Sequence, residues 1–144
     1  MKGRLSILAL ISALVVGVSA AAAATIVGTH GPDRLVGTPY ADRIDGKAGD
    51  DAIYGKGGND ELVGGLGDDS IWNGQGRDAA YGGRGDDVLH ALADDNQLDL
   101  LDCGPGNDIA YLNGAERAKT IGCETVRVLT PTEAAAQAAA EGDN

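Results

Sequence analysis

The sequence predicts an all-β protein, a parallel β-roll (β-solenoid) of nonapeptide repeats with a disulfide-closed C-terminal cap. Three observations lead to this fold class. Aspartate and glycine recur every nine residues, an aliphatic residue follows each of these aspartates by two positions, and aromatic residues are too few for a conventional globular core. The 144 residues include 23 glycines, one tryptophan, four tyrosines and no phenylalanine. A fixed short period is typical of solenoids, in which each repeat packs only against its neighbours.

The first 24 residues have the three-part pattern of a secretory signal peptide. Lys2 and Arg4 precede an almost uncharged apolar run, Leu5 to Val18, and small residues follow. A-x-A-like cleavage sites lie between Ala20 and Ala24. The apolar run is shorter than the roughly 20 residues that a membrane-spanning helix needs. We therefore expect a secreted, extracellular protein with no membrane contact after the signal is cleaved.

The charge of the chain after the signal peptide is strongly negative. From Thr25 onward there are 22 acidic and 9 basic residues, a net charge of −13. Such a chain repels nucleic acid and anionic membranes and attracts cations, so neither nucleic acid nor a membrane is an expected partner. An acidic, glycine-rich chain could also be disordered, but a regular period argues against disorder.

The roll itself is predicted over residues 25–90. Each repeat begins with glycine and carries glycine at its fourth position, aspartate at its sixth and an aliphatic residue at its eighth. Asn73 replaces one first-position glycine and Tyr40 one fourth-position glycine. The sixth-position aspartates are Asp33, Asp42, Asp51, Asp60, Asp69, Asp78 and Asp87.

The first six positions of a repeat predict a turn and the last three predict a short strand. Glycine at the first, second and fourth positions permits a positive φ and turns the backbone carbonyls inward. The eighth side chain points into the roll, because alternate residues of a strand face opposite sides. Two repeats complete one coil, so residues 18 apart should stack in two rows. One row contains Asp33, Asp51, Asp69 and Asp87, and the opposite row contains Asp42, Asp60 and Asp78.

Stacked carboxylates and inward carbonyls favour Ca²⁺, which takes 6–8 oxygen ligands, over metals that prefer thiolate or imidazole. Without a cation the rows should oppose assembly, because like charges about 5 Å apart repel by about 3 kcal/mol at an effective dielectric of 20. Aspartate and glycine also favour turns without any metal, which explains one or two repeats but not seven in register. The fifth-position acids Asp50, Asp68 and Asp86 are expected to be solvated charges.

The nine-residue pattern resembles the calcium-binding repeats of the repeats-in-toxin (RTX) family, in which the second position is also glycine. The resemblance covers residues 28–90. It implies that each ion lies between successive coils and takes an aspartate from each, with three ions on one row and two on the other. The first two repeats depart from the pattern with Pro32, Pro39 and Tyr40, which indicates capping turns or weaker sites. Second-position glycine is present only as Gly65, Gly74 and Gly83.

After His90 the register breaks, and residues 91–129 predict a degenerate repeat and a cap. Gly104, Gly106 and Asp108 restore the pattern, so Asp108 is a further candidate ligand, although its stacking partner is displaced. Cys103 and Cys123 predict a disulfide in an exported chain, and a two-cysteine metal site is the alternative. The alanine-rich tail, residues 130–144, predicts a frayed helix or disorder.

No catalytic residue is expected, since the sequence lacks both H-E-x-x-H and G-x-S-x-G motifs. The function predicted is non-catalytic binding of Ca²⁺, with folding coupled to about five ions. The alternative is an extracellular adhesive or carbohydrate-binding module that uses an outward face of Tyr54, Trp72 and His90, above Val36. Cross-strand pairing that stiffens the sheet is a third explanation of these side chains. No protein or glycan partner is identified by the sequence.

Overall fold

Two parallel sheets face each other across a narrow aliphatic core. The computed structural model describes residues 22–93, 95–114 and 117–141. All but the last three residues of the expected signal peptide therefore lie outside the described residues. No helix in the described ranges is long and apolar enough to cross a membrane.

Each coil of the roll contributes one strand to each sheet, and six coils are stacked. The first sheet contains β1 (Thr25–Val27), β3 (Arg43–Ala48), β5 (Glu61–Leu66), β7 (Ala79–Arg84), β9 (Leu98–Asp102) and β11 (Arg117–Ile121). The second sheet contains β2 (Arg34–Val36), β4 (Ala52–Tyr54), β6 (Ser70–Trp72), β8 (Val88–Ala91), β10 (Ile109–Asn113) and β12 (Thr125–Leu129). The parallel β-solenoid predicted from the sequence is confirmed.

The register between coils is 18 residues until the pattern breaks. Ile53 pairs with Ile71, and Ile71 pairs with Leu89. Beyond that point Leu89 pairs with Ala110, 21 residues further on. The sheets remain in register because nine residues (91–99) separate His90 from Leu100, whereas six residues (73–78) separate the aligned positions Trp72 and Ala79. The longer stretch adds a residue to the end of β8 and two to the start of β9.

The eighth-position side chains form the core, as their alternation with exposed neighbours predicts. Each of them is at most 2 % exposed. The core residues from the repeats are Leu35, Ile44, Ile53, Leu62, Ile71, Ala80 and Leu89, joined by Leu101, Cys103 and Ala110.

Glycine conformation follows the prediction at two of three positions. From the third repeat to the seventh, the second and fourth positions have positive φ, as at Gly65 (121°) and Gly67 (122°), but the first-position glycines do not, and neither do the second and fourth positions of the first two repeats. The expectation of a positive φ at the first position is therefore wrong. Lys47 and Lys56 occupy second positions with φ of 80° and 78°, a conformation that costs a non-glycine residue about 1–2 kcal/mol.

The C-terminal segment continues both sheets as a sixth coil. Cys103 and Cys123 form the expected disulfide, with their Cα atoms 5.2 Å apart. The tail forms α1 (Pro131–Glu141). Its start is a capping box, because the Thr130 N–H donates to Glu133 Oε2 (2.8 Å) and the Glu133 N–H donates back to Thr130 Oγ1 (3.4 Å).

Candidate metal centre

The sixth-position aspartates stack coil on coil at both edges of the roll. In each pair the backbone N–H of one aspartate donates to Oδ1 of the aspartate one coil further on, at 2.7–2.8 Å. The first row runs Asp33, Asp51, Asp69, Asp87 and Asp108, and the second runs Asp42, Asp60, Asp78 and Asp99.

Two members of these rows, Asp99 and Asp108, lie after the break in the nine-residue pattern. Asp108 stacks on Asp87, so its partner is only shifted by three residues. Asp99 stacks on Asp78 in the same way, and the sequence analysis missed it. The signal that could have found it is the offset of 21 residues, which Asp99 and Asp108 share.

The second carboxylate oxygen of most row members has no partner. Buried polar atoms are almost always hydrogen-bonded, so a repeated exception calls for an explanation such as an ion. In the described part of the chain these unpaired, buried Oδ2 atoms belong to Asp51, Asp60, Asp69, Asp78, Asp87 and Asp108.

The first two repeats differ, because threonine satisfies their carboxylates. Thr29 donates to Asp33 Oδ2 from its backbone N–H (2.5 Å) and its hydroxyl (2.9 Å). Thr38 does the same for Asp42, at 2.5 and 3.0 Å. These two carboxylates therefore do not need a cation to complete their hydrogen bonding.

The first-position glycines allow oxygen atoms to crowd together. A Cβ on Gly55 would lie 2.5 Å from Asp60 Oδ2 and closer still to the carbonyl oxygen of Asn73 in the next coil. At Gly46, Gly64 and Gly82 an added Cβ would likewise meet Oδ2 of the aspartate five residues further on and a backbone carbonyl oxygen of the next coil. A carboxylate oxygen and a carbonyl oxygen thus converge beside each of these glycines, in a space that a side chain would fill.

Burial makes the unpaired carboxylates reluctant to ionise. Desolvation raises the pKa of Asp60, Asp69 and Asp78 to about 7, and that of Asp51 and Asp87 to about 6. Hydrogen bonds from the backbone oppose this shift without cancelling it. Protons or a cation that neutralise the negative charge of these carboxylates therefore stabilise the folded roll.

The donors at this site are oxygen atoms. Among the described residues, no group of three or more His, Cys, Asp or Glu side chains converges on one point, so backbone carbonyls would have to complete any metal site. Such a set fits Ca²⁺ and does not fit metals that prefer nitrogen or sulfur. One further oxygen is available, since Asn73 Oδ1 is buried without a partner while its Nδ2 donates to Asp99 (3.4 Å).

The fifth-position acids lie outside these rows and are exposed. The N–H of Asp68 donates to Asp50 Oδ1 (3.0 Å), and the N–H of Asp86 donates to Asp68 Oδ1 (2.8 Å). These carboxylates hold neighbouring turns together from the solvent side.

The ninth-position aromatic residues form one stacked column. Tyr54, Trp72, His90 and Tyr111 stack face to face, with ring centroids 4.5, 4.9 and 5.1 Å apart. The guanidinium of Arg34 lies 4.5 Å from the Tyr54 ring centre. The sequence analysis did not include Tyr111. Because Tyr54 and His90 are buried and the rings cover one another, this arrangement favours cross-strand pairing over an open binding face.

Comparison with known proteins identifies the repeats. A family model of the RTX calcium-binding nonapeptide repeat matches the chain in four overlapping copies, at residues 27–62, 36–71, 45–80 and 72–110. No curated protein and no solved structure matches the chain. The resemblance drawn from the sequence is confirmed, and the matched region contains both rows of aspartates.

Proposed function

The chain belongs to the RTX calcium-binding nonapeptide repeat family, and from this premise we propose that it is a secreted, non-catalytic protein that folds by binding about five Ca²⁺. Repeats of this family bind Ca²⁺. The observation that carries the proposal is the set of six buried Oδ2 atoms that lack a hydrogen-bond partner. A cation between coils would supply the partner that each of them lacks.

We place the ions one coil further toward the C-terminus than the sequence predicts. Thr29 and Thr38 already satisfy Asp33 and Asp42, so the first coil does not need an ion. The three-residue shift adds Asp99 and Asp108 at the other end. The proposed sites lie between Asp51 and Asp69, Asp69 and Asp87, Asp87 and Asp108, Asp60 and Asp78, and Asp78 and Asp99.

The charge balance supports this number. Five Ca²⁺ would bring the net charge of residues 25–144 from −13 to −3. The coupling to folding has a simple origin, since ligands 18 or 21 residues apart meet only when coils stack. Extracellular calcium modules typically bind with Kd of about 10⁻⁴–10⁻³ M, so an exported chain would fold on reaching a calcium-rich medium.

Titration calorimetry tests the number of sites. We expect about five Ca²⁺ per chain at pH 7.5, and weak binding of Mg²⁺, which demands a tighter octahedral geometry. Asp99→Asn should reduce the number to about four, because it removes one end of the site with Asp78. Five ions in this variant, or equal binding of Mg²⁺, would contradict the proposed sites.

The metal-free roll should be more stable at acidic pH than at pH 7.5. Burial raises the pKa of Asp60, Asp69 and Asp78 to about 7, so protons can neutralise these carboxylates in the absence of Ca²⁺. The metal-free roll therefore binds more protons than the unfolded chain between about pH 4 and 7, and its stability falls as the pH rises through that window.

Far-UV circular dichroism in chelator at pH 5.5, 6.5, 7.5 and 8.5 would measure this dependence, and the β-sheet signal should rise as the pH falls. Exposed aspartates, with a pKa of about 3.9, would give a signal that is flat over the whole range, and a flat signal would contradict the burial of the two rows.

A further inference from the structure

The C-terminal end of the roll leaves its core exposed. The core column of the second sheet runs through Ile71, Leu89 and Ala110, which are fully buried, and ends at Val126. Val126 pairs with Ala110 but is 44 % exposed, and Val128 is 64 % exposed. Among the described residues, β11 and β12 pair on one side only. The last coil therefore presents apolar side chains and two unpaired strand edges.

The last coil is also the basic part of an acidic chain. Residues 117–129 contain Arg117, Lys119 and Arg127 against a single acid, Glu124, whereas residues 25–116 contain 18 acidic and six basic residues. The helix α1, which packs beside β10 and β12, adds two acids, Glu133 and Glu141. An acidic partner with strand edges of its own is the surface complementary to the last coil.

The N-terminal end of the same chain belongs to its acidic part and has strand edges of its own. Its strands β1 and β2 pair on one side only within the described residues, and they run in the direction that a seventh coil would need. Asp33 and Asp42 stand at the first coil. In every later coil Oδ1 of the row aspartate accepts an N–H from the coil before it, and Asp42 Oδ1 already accepts the N–H of Ala24. Glu124 follows Asp108 in the first row, since its Oε2 accepts the N–H of Asp108 (2.8 Å). For Asp33, the matching donor would be the N–H of Glu124 in another molecule.

We propose that a second copy of this chain docks its N-terminal coil on the C-terminal coil of the first, which continues both sheets across the junction. The contact is head to tail, so each added copy leaves a new open end. Unpaired strand edges are known templates for pairing with another chain. Solenoids that remain separate generally need a polar terminal repeat, and residues 117–129 leave Val126 and Val128 exposed instead.

Sedimentation equilibrium of the purified protein in saturating Ca²⁺ tests this contact. The average mass should rise continuously with concentration. Val128→Lys should weaken association at least tenfold with an unchanged β-sheet signal and calcium stoichiometry. Leu66→Lys is the matched control, since Leu66 is an equally exposed apolar residue (53 %) on a strand face away from the end. Lys119→Glu, on the same coil, should also weaken association.

Mixing wild-type protein with the Val128→Lys variant distinguishes head-to-tail association from other modes of association. A Val128→Lys copy keeps its N-terminal end, so it should attach to wild-type assemblies and shorten them. A wild-type protein that stays monomeric, or that stops at a dimer, would overturn the proposal, as would equal loss in Leu66→Lys. These outcomes are independent of calcium binding, which is measured separately in each variant.

Discussion

Asp69→Asn should lower calcium affinity at least tenfold and leave about three bound ions of five, whereas Asp33→Asn should leave all five. Asp69 belongs to two proposed sites, and its Oδ2 is buried without a partner. Asp33 is half-buried and its Oδ2 accepts two hydrogen bonds from Thr29. Asp69 and Asp33 occupy the same position of the repeat. A difference between the effects of the two substitutions would therefore come from the calcium sites and not from the repeat position.

The asparagine substitution separates metal binding from packing. An asparagine at position 69 can still accept the N–H of Asp51 through its amide oxygen, a bond of 2.8 Å in the wild type. The substitution also removes a carboxylate whose burial raises its pKa to about 7. The metal-free variant should therefore show no less β-structure than the metal-free wild type. Calorimetry counts the bound ions and far-UV circular dichroism in chelator compares the two metal-free chains, and equal effects at positions 33 and 69 would contradict the assignment.

Gly55→Ala should destabilise the calcium-loaded roll by about 3 kcal/mol or more, while Gly57→Ala should be nearly neutral. The Cβ added at position 55 would collide with Asp60 Oδ2 and with the carbonyl of Asn73, both fixed by stacking. Overpacking of this kind costs about 3 kcal/mol or more when backbone cannot move. A Cβ at position 57 meets nothing closer than 3.8 Å, so its effect should stay within about 0.5 kcal/mol.

Chemical unfolding in saturating Ca²⁺ measures this pair of variants. They lie two residues apart in one turn and have the same change in composition, so loss of glycine flexibility in the unfolded chain is similar in both. If both variants unfold at the wild-type denaturant concentration, the oxygens beside Gly55 are not held as tightly as the site requires.

The one-dimensional features of this fold could be read from the sequence. A period of nine and an aliphatic residue at every eighth position determine the coil, the core from Leu35 to Leu89 and the 18-residue rows. The disulfide followed from two cysteines in a chain that the sequence predicts to be exported. These inferences need only the spacing of residue types along the chain, which can be read directly from the sequence.

The missed features depend on contacts between coils. Asp99 and Tyr111 join their columns only after a shift of three residues, which becomes visible when Asp78 is aligned with Asp99 and His90 with Tyr111. The role of first-position glycine is close approach of oxygens from the next coil rather than a positive φ. Thr29 and Thr38 look like ordinary departures from the pattern until their hydroxyls are seen on Asp33 and Asp42.

If a cation supplies the missing partner of the buried carboxylates, calcium binding and folding are one event. Far-UV circular dichroism at pH 7.5, followed from excess chelator through a calcium titration, should then show little β-structure in chelator. The β-sheet signal should rise cooperatively with added Ca²⁺ and saturate at about five ions per chain. A chain that is equally β-structured in excess chelator would contradict this coupling.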